Sequence, residues 1–439
     1  MKPLLIKGGR IIDCDQNLDL RGDLFVRGGK IEAIATSIPI PQESPCTIID
    51  AEGLIVTPGW LDIHTHLREP GANHKETIKS GSEAAAAGGF TTIACMPNTQ
   101  PVNDNSFITN YIYQKVSSDS DVNIYCIGAI SKGLQGEQLA EIGSMWEAGI
   151  VGISDDGNTV MNSYLMRKAM DYSKRFDLVV ITHCEDSNLK GKGVMNEGFN
   201  SARFGLRGIP NAAEELMVAR DILLSELTGA KLHIAHVSTQ GSVELIRQAK
   251  KRGARVSAEV TPHHLTLTDE AVGNYDTNTK VAPPLREIQD LEALWEGLAD
   301  GTIDALASDH APHSVEEKEV EYDLAAFGMV GLETAFPLYF RLVLENKISL
   351  SRLVSALTVK PAEIIGIPRG TLKVGSQADI TVFDPKSRYR LDKSKFRSRS
   401  TNTPFHGVEV QGKVCYTVCG GKVVHRSEHL SNSPIKELK

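Results

Sequence analysis

The sequence predicts an α/β protein: a parallel (β/α)8 barrel of the TIM type carrying a small β-sandwich domain formed by both termini. Three observations predict it. Between residues 54 and 360, apolar strand-like runs alternate with helical segments eight times. Residues 1–53 instead read as short strands and turns without helices, and the same texture returns over 361–439. Histidines and aspartates fall at the ends of five of the eight barrel runs, where a barrel of this kind keeps its chemistry.

Taken in order, residues 4–13 and 23–34 each read apolar, Gly-Gly, apolar, the form of a hairpin. The first barrel run is Leu54-Ile55-Val56-Thr57-Pro58-Gly59-Trp60-Leu61-Asp62-Ile63-His64-Thr65-His66. Read as one strand, it places His64 and His66 on one side, because alternate residues share a face. Further runs end near Met96, Ile127, Ser154, His183, His236, Val260 and Asp309. Helical segments lie between them, among them 78–87, 164–172, 212–227 and 242–251. An open doubly wound sheet is the rival, but no G-x-G-x-x-G follows a strand. After residue 360, segments 370–384 and 408–414 read as strands that complete one small domain with residues 1–53; chain ends that lie close together permit this. The residues from about Ser427 on read as a polar, frayed tail.

Composition narrows the function. The chain has 439 residues, is 41% hydrophobic and carries a net charge of −8 without a long basic block, which argues against nucleic acid and anionic membranes as partners. Seven cysteines, odd in number and irregularly spaced, give no disulfide framework, and Cys415 and Cys419 have no neighbours to complete a zinc knuckle. The first apolar run is too short for a signal peptide, and no run approaches the length of a membrane span. The expected compartment is the reducing cytoplasm.

The polar strand ends carry His64 and His66, then Asp155 and Asp156, then His183, His236 and Asp309. Neutral imidazole and carboxylate are ligands that suit zinc. Two ions a few ångströms apart need a carboxylate between them, which an aspartate of the fourth strand end can supply. Such a centre makes hydroxide available at neutral pH, and Asp309 can both bind a metal and shuttle a proton. The composition of the site points to hydrolysis, or its reversal, at a carbonyl.

The segments Asp62-Ile63-His64-Thr65-His66-Leu67-Arg68-Glu69-Pro70-Gly71, Met96-Pro97-Asn98-Thr99, Ser154-Asp155-Asp156-Gly157, Thr182-His183-Cys184-Glu185-Asp186, His233-Ile234-Ala235-His236 and Ser308-Asp309-His310-Ala311-Pro312-His313 occur in a telling order. With them, the whole chain resembles the amidohydrolase superfamily and, within it, the dihydroorotases of the bacterial class I type. The resemblance implies two zinc ions per subunit, one held by His64, His66 and Asp309, the other by His183 and His236, with Asp156 bridging. It implies that Arg68 and Asn98, helped by His313, hold a substrate carboxylate. His66 also touches the substrate, and Phe327 and Gly328 contact the pyrimidine ring through their backbone. The implied reaction is the reversible cyclisation of N-carbamoyl-L-aspartate to L-dihydroorotate in pyrimidine biosynthesis. Asp309 carries the proton. The implied assembly is a homo-oligomer, with another pyrimidine-pathway enzyme as candidate partner.

One departure from the family stands in Lys280-Val281-Ala282-Pro283-Pro284-Leu285-Arg286, where the third residue is usually Asn. Ala282 offers no side-chain hydrogen bond. Hydantoinases, dihydropyrimidinases and allantoinases share the fold and histidines but typically bridge their metals with a carboxylated lysine. The fourth strand end here has no lysine, and Arg68 would find no carboxylate on a hydantoin. Non-catalytic scaffold relatives lose metal ligands, whereas all six positions are occupied here. The acidic segment 314–323, directly after the site, reads as a lid or a solvated loop.

Overall fold

The computed structural model describes residues 2–39, 46–428 and 436–438. The polar tail expected after Ser427 therefore lies largely outside the described residues. Eight parallel strands form the barrel sheet in chain order: Trp60–Thr65, Phe90–Cys95, Asn123–Ala129, Gly152–Ser154, Val179–Thr182, Leu232–Ile234, Val256–Val260 and Ala305–Leu306. The circle is joined between first and last strands by a bridge between Thr65 and His310 and by two Ser308 N–H contacts to the Asp62 carboxylate, at 3.1 and 3.2 Å.

The helices start and stop where their sequence says they should. Helix Ile78–Gly88 begins at Thr77, whose hydroxyl accepts from Ser80 N, and ends at Gly89 in the left-handed region. Helix Gln240–Lys251 starts from Thr239, which caps Ser242 N. Helix Ala212–Thr228 ends at Gly229, also left-handed. Their apolar faces pack on the outer side of the strands in one large buried cluster that includes Val218, Ile222, Val243 and Ile246.

Among the described residues, the two termini make one nine-stranded mixed sheet. Its main path runs Lys422–Arg426, Glu409–Cys419, Ile380–Arg390, Ile55–Pro58, Leu4–Asp13, Leu18–Arg27 and Lys30–Ala35. The strand Cys46–Asp50 attaches beside Leu4–Asp13, and Lys436–Leu438 pairs with Cys46–Asp50. Ile31, on the last strand of that path, and Val418, on its second, share one apolar cluster, so the single sheet folds over its own core in the manner of a sandwich.

The run 54–66 is two strands rather than one. Ile55–Pro58 pairs with Leu4–Asp13 and Ile380–Arg390 in the terminal sheet, whereas Trp60–Thr65 opens the barrel. The break is at Gly59, whose N–H donates to Asp379 O at 2.8 Å. A Cβ there would lie 2.1 Å from Thr91 Oγ1, so a larger residue could not pass between the two sheets. Trp60 then fills the junction: its ring stacks on Phe336 at 4.1 Å and lies 5.9 Å from Phe383 of the terminal sheet.

Candidate metal centre

Four imidazoles and two carboxylates from five strand ends converge. His64 Nε2 lies 3.3 Å from Asp156 Oδ1, and His66 Nε2 lies 3.4 Å from Asp156 Oδ2. His183 Nδ1 and His236 Nε2 are 3.7 and 3.5 Å from Asp156 Oδ1. Asp309 Oδ1 is 3.1 Å from His66 Nε2 and 3.6 Å from His64 Nε2. Ligand atoms of His64, His66 and Asp156 lie within 4.8 Å of one another, and so do those of Asp156, His183 and His236. Asp156 is common to both groups, the arrangement a bridging carboxylate requires.

These residues fit a metal. His64 Nε2 and Asp156 Oδ1 are buried and make no hydrogen bond among the described residues, a costly arrangement that a cation between them would relieve. His183 Nδ1 and His236 Nε2 face each other at 2.9 Å, two basic nitrogens on one spot. Burial opposes charge on Asp156, but the surrounding imidazoles of His64, His236 and His66 outweigh it and hold the carboxyl well below its usual range. Asp309 is likewise lowered, burial being overcome by its hydrogen bond to His66 and by His64 and His236. Both stay ionised and ready to ligate.

The neighbouring Asp155 does different work. Its carboxylate turns away to accept from Ile130 N, Ser131 N and the Ser131 hydroxyl, and fixes the third and fourth strand ends relative to each other.

Outer contacts orient the candidate ligands. Asn98 Oδ1 lies 2.8 Å from His66 Nδ1, and Glu259 Oε1 lies 2.6 Å from His64 Nδ1. In both cases the protonated Nδ1 leaves Nε2 free for a metal. Glu185 Oε2 sits 3.4 Å from His183 Nε2 in the same way. Two of the candidate ligands, His236 and Asp309, and the adjacent Arg68 have positive φ of 34°, 46° and 59°. Such backbone is uncommon outside glycine and clusters at functional sites.

A cavity of about 230 Å³ opens on this cluster. Of the candidate residues, His66, Arg68, Asn98, Asp156, His183, His236, Asp309, His313, Phe327 and Gly328 line it; His64 lies beneath, fully buried. Ala282 is also on its wall. Arg68 Nε donates to Pro312 O at 3.1 Å and its Nη2 is 3.4 Å from His313 Nε2. His313 Nε2 is also 2.8 Å from Phe327 O. Gly328 has φ 128°, and a Cβ there would meet Ala311 Cβ at 2.7 Å, so glycine is required at the cavity wall. The acidic segment after the site is pinned: Lys318 Nζ donates to Thr277 O and Ala326 O, and Glu317 pairs with Lys75 at 2.5 Å. A larger cavity of about 520 Å³, between the terminal sheet and the barrel, contains none of the candidate residues.

Sequence reasoning passed over Glu259, Glu185 and Lys190. Glu259 had a visible signal, a lone acid inside the apolar strand Val256–Val260. Lys190 had none beyond following His183 closely.

Comparison with known proteins gives a consistent picture. A family model described as Dihydro-orotase-like matches residues 53–242, and one described as Amidohydrolase family matches 230–425. The chain is 53% identical to a dihydroorotase of Syntrophus aciditrophicus, over 97% of this chain and all of that one. It is 51% identical to a dihydroorotase of Thermoanaerobacter sp. strain X514, over 97% and 98% of the two chains. Among solved structures, the L-hydantoinase of Arthrobacter aurescens superposes with a TM-score of 0.87 at 30% identity, covering 97% of this chain and 96% of that one. The dihydropyrimidinase of Brevibacillus agri NCHU1002 gives 0.83 at 25%, covering 97% and 95%.

Proposed function

The chain belongs to the dihydroorotase family of the amidohydrolases, and from that membership we infer that it interconverts N-carbamoyl-L-aspartate and L-dihydroorotate. The observation that carries the substrate is Arg68: a guanidinium in the same cavity as the ligand cluster, beside Asn98 and His313. A planar guanidinium grips a carboxylate through two hydrogen bonds, and dihydroorotate brings that carboxylate where a hydantoin does not. The bridging position is filled by Asp156, with no lysine in 154–157, which separates this site from the lysine-bridged relatives expected as the alternative.

We assign His64, His66 and Asp309 to one zinc, His183 and His236 to a second, and Asp156 to both. Bound there, such a pair would supply Lewis acidity and a water of lowered pKa. The protein's own residues do the rest. Arg68, Asn98 and His313 fix the carboxylate and so aim the ring amide at Asp156 and Asp309. The backbone at Phe327 and Gly328 bounds the ring. In hydrolysis, Asp309 accepts the proton of the attacking water and passes it to the ring nitrogen as the C–N bond breaks. In cyclisation, the same carboxylate takes the proton from the ureido nitrogen and returns it to the departing oxygen.

The expected location is the cytoplasm, consistent with seven cysteines that form no disulfide and with the lack, among the described residues, of any helix long and apolar enough to cross a membrane. The expected assembly is a homo-oligomer, with a second enzyme of the pathway as candidate partner.

The test is one assay of purified protein on dihydroorotate beside hydantoin, dihydrouracil and allantoin, with zinc counted in the same sample. Turnover of dihydroorotate with about two zinc ions per chain is the expected result. Preferential turnover of hydantoin or dihydrouracil would overturn the substrate, and protein without stoichiometric metal would point to a scaffold.

A further inference from the structure

We propose that Lys190 contacts the substrate and donates a hydrogen bond to its ureide carbonyl oxygen, the oxygen on the carbon between the two ring nitrogens. The proposal rests on the dihydroorotase reading. Among the described residues, Arg68 and Lys190 are the arginine and the lysine on the cavity wall, and they belong to different parts of it. Arg68 stands with Pro312 and His313. Lys190 stands with Glu185 and with Phe327, its Nζ 4.8 Å from the ring centroid.

Its position is built. Lys190 ends the short helix Ser187–Lys190, which Asp186 starts by accepting from Asn188 N and Leu189 N at 2.8 and 3.1 Å. Asp186 N in turn donates to Ala213 O, docking the turn on helix Ala212–Thr228. The ammonium pairs with Glu185, whose carboxylate is itself held against His183. One of the three ammonium protons is taken by Glu185, and two are left to donate.

The substrate's chemistry supplies the acceptor. With its carboxylate on Arg68 and its scissile carbonyl at Asp156 and Asp309, the ureide oxygen is the strongest acceptor left. When the bond from the ring nitrogen to the attacked carbon breaks, the electron pair stays on that nitrogen and delocalises onto the ureide oxygen. Asp309 delivers the proton to the nitrogen. A cationic donor on the oxygen stabilises that departing group while the proton arrives.

The experiment compares wild type, Lys190→Met and Lys190→Gln on L-dihydroorotate and on its 2-thio analogue, whose sulfur is a weak acceptor, with zinc content and circular dichroism measured for each. Wild type should prefer oxygen over sulfur in kcat/KM by about tenfold or more, the worth of a hydrogen bond to a charged donor. Lys190→Met should lose about tenfold on the oxygen substrate and bring the ratio near one, and Lys190→Gln should fall between. A variant that folds, binds zinc and keeps the wild-type ratio overturns the role of Lys190 alone. Should Lys190→Met fail to fold, the ratio in Lys190→Gln decides, and an unchanged one overturns the proposal. A zinc-loaded wild type inactive on dihydroorotate overturns the reaction assignment and this proposal with it.

Discussion

Glu259 joins two histidines: one carboxylate oxygen lies 2.6 Å from Nδ1 of His64 and the other 3.1 Å from Nε2 of His233. All three side chains are fully buried. Burial alone would raise the Glu259 carboxyl, but His64 and His233 bring it down to about 2, so it is an anion at any working pH. It therefore dictates which nitrogen of His64 carries the proton. Replacing Glu259 with Gln removes that anion while keeping the shape. We expect metal affinity to fall about 10–100-fold, read by competition with a chromophoric chelator; unchanged affinity would detach Glu259 from the centre.

Asp309 should be indispensable for turnover yet only partly responsible for metal retention, because Asp156 and the four histidines remain. Asp309→Asn cannot accept the proton, and kcat should drop by about 10²–10⁴-fold. Zinc analysis of the same preparation separates loss of proton transfer from loss of metal. Near-wild-type turnover with zinc bound would remove the shuttle role.

Arg68→Met deletes a charged, two-pronged contact. KM for dihydroorotate should rise by roughly 10–150-fold, the range for hydrogen bonds to a charged group. An unaltered KM would take Arg68 off the carboxylate.

The pH behaviour of His313 follows from its surroundings. Burial, reinforced by the positive charges of Arg68 and Lys318, pushes the imidazole from 6.5 down to about 3. The folded state thus binds fewer protons than the unfolded chain between those values. Stability associated with His313 is full above pH 6.5 and is lost as pH falls toward 3. At neutral pH the ring is uncharged. His313→Asn should accordingly raise KM by the same factor at pH 6 and pH 8, measured from steady-state rates; a factor that changes across that interval would show that the ring titrates there.

Much of the molecule was readable from the chain because strand ends carry the chemistry and strands announce themselves. The eight runs, the four histidines and Asp309 follow from apolar periodicity and position. The choice of Asp156 over Asp155 came from the family resemblance, whose motif it matches better, and the structure shows a physical difference invisible in the sequence: Asp155 is consumed by two backbone N–H groups and a serine hydroxyl. The break at Gly59 was hidden because an extended segment looks the same whether it stays in one sheet or crosses to another. Lys190 was hidden because nothing local distinguishes a lysine facing a cavity from one facing water. The positive φ of Arg68, His236 and Asp309 is set by tertiary packing and leaves no mark in residue type.

The passage at Gly59 also constrains the order in which the molecule can be made. The segment leading into the strand of His64 is paired on one side with Leu4–Asp13 and on the other with Ile380–Arg390, which emerges from the ribosome more than 300 residues later. Until then, one flank of Ile55–Pro58 lacks its neighbour, and Trp60 lacks the contact with Phe383. Vectorial synthesis thus leaves the centre's oldest residues waiting for its youngest support. Nascent chains stalled before residue 380 should capture no zinc, whereas release of the full polypeptide should let them do so at once.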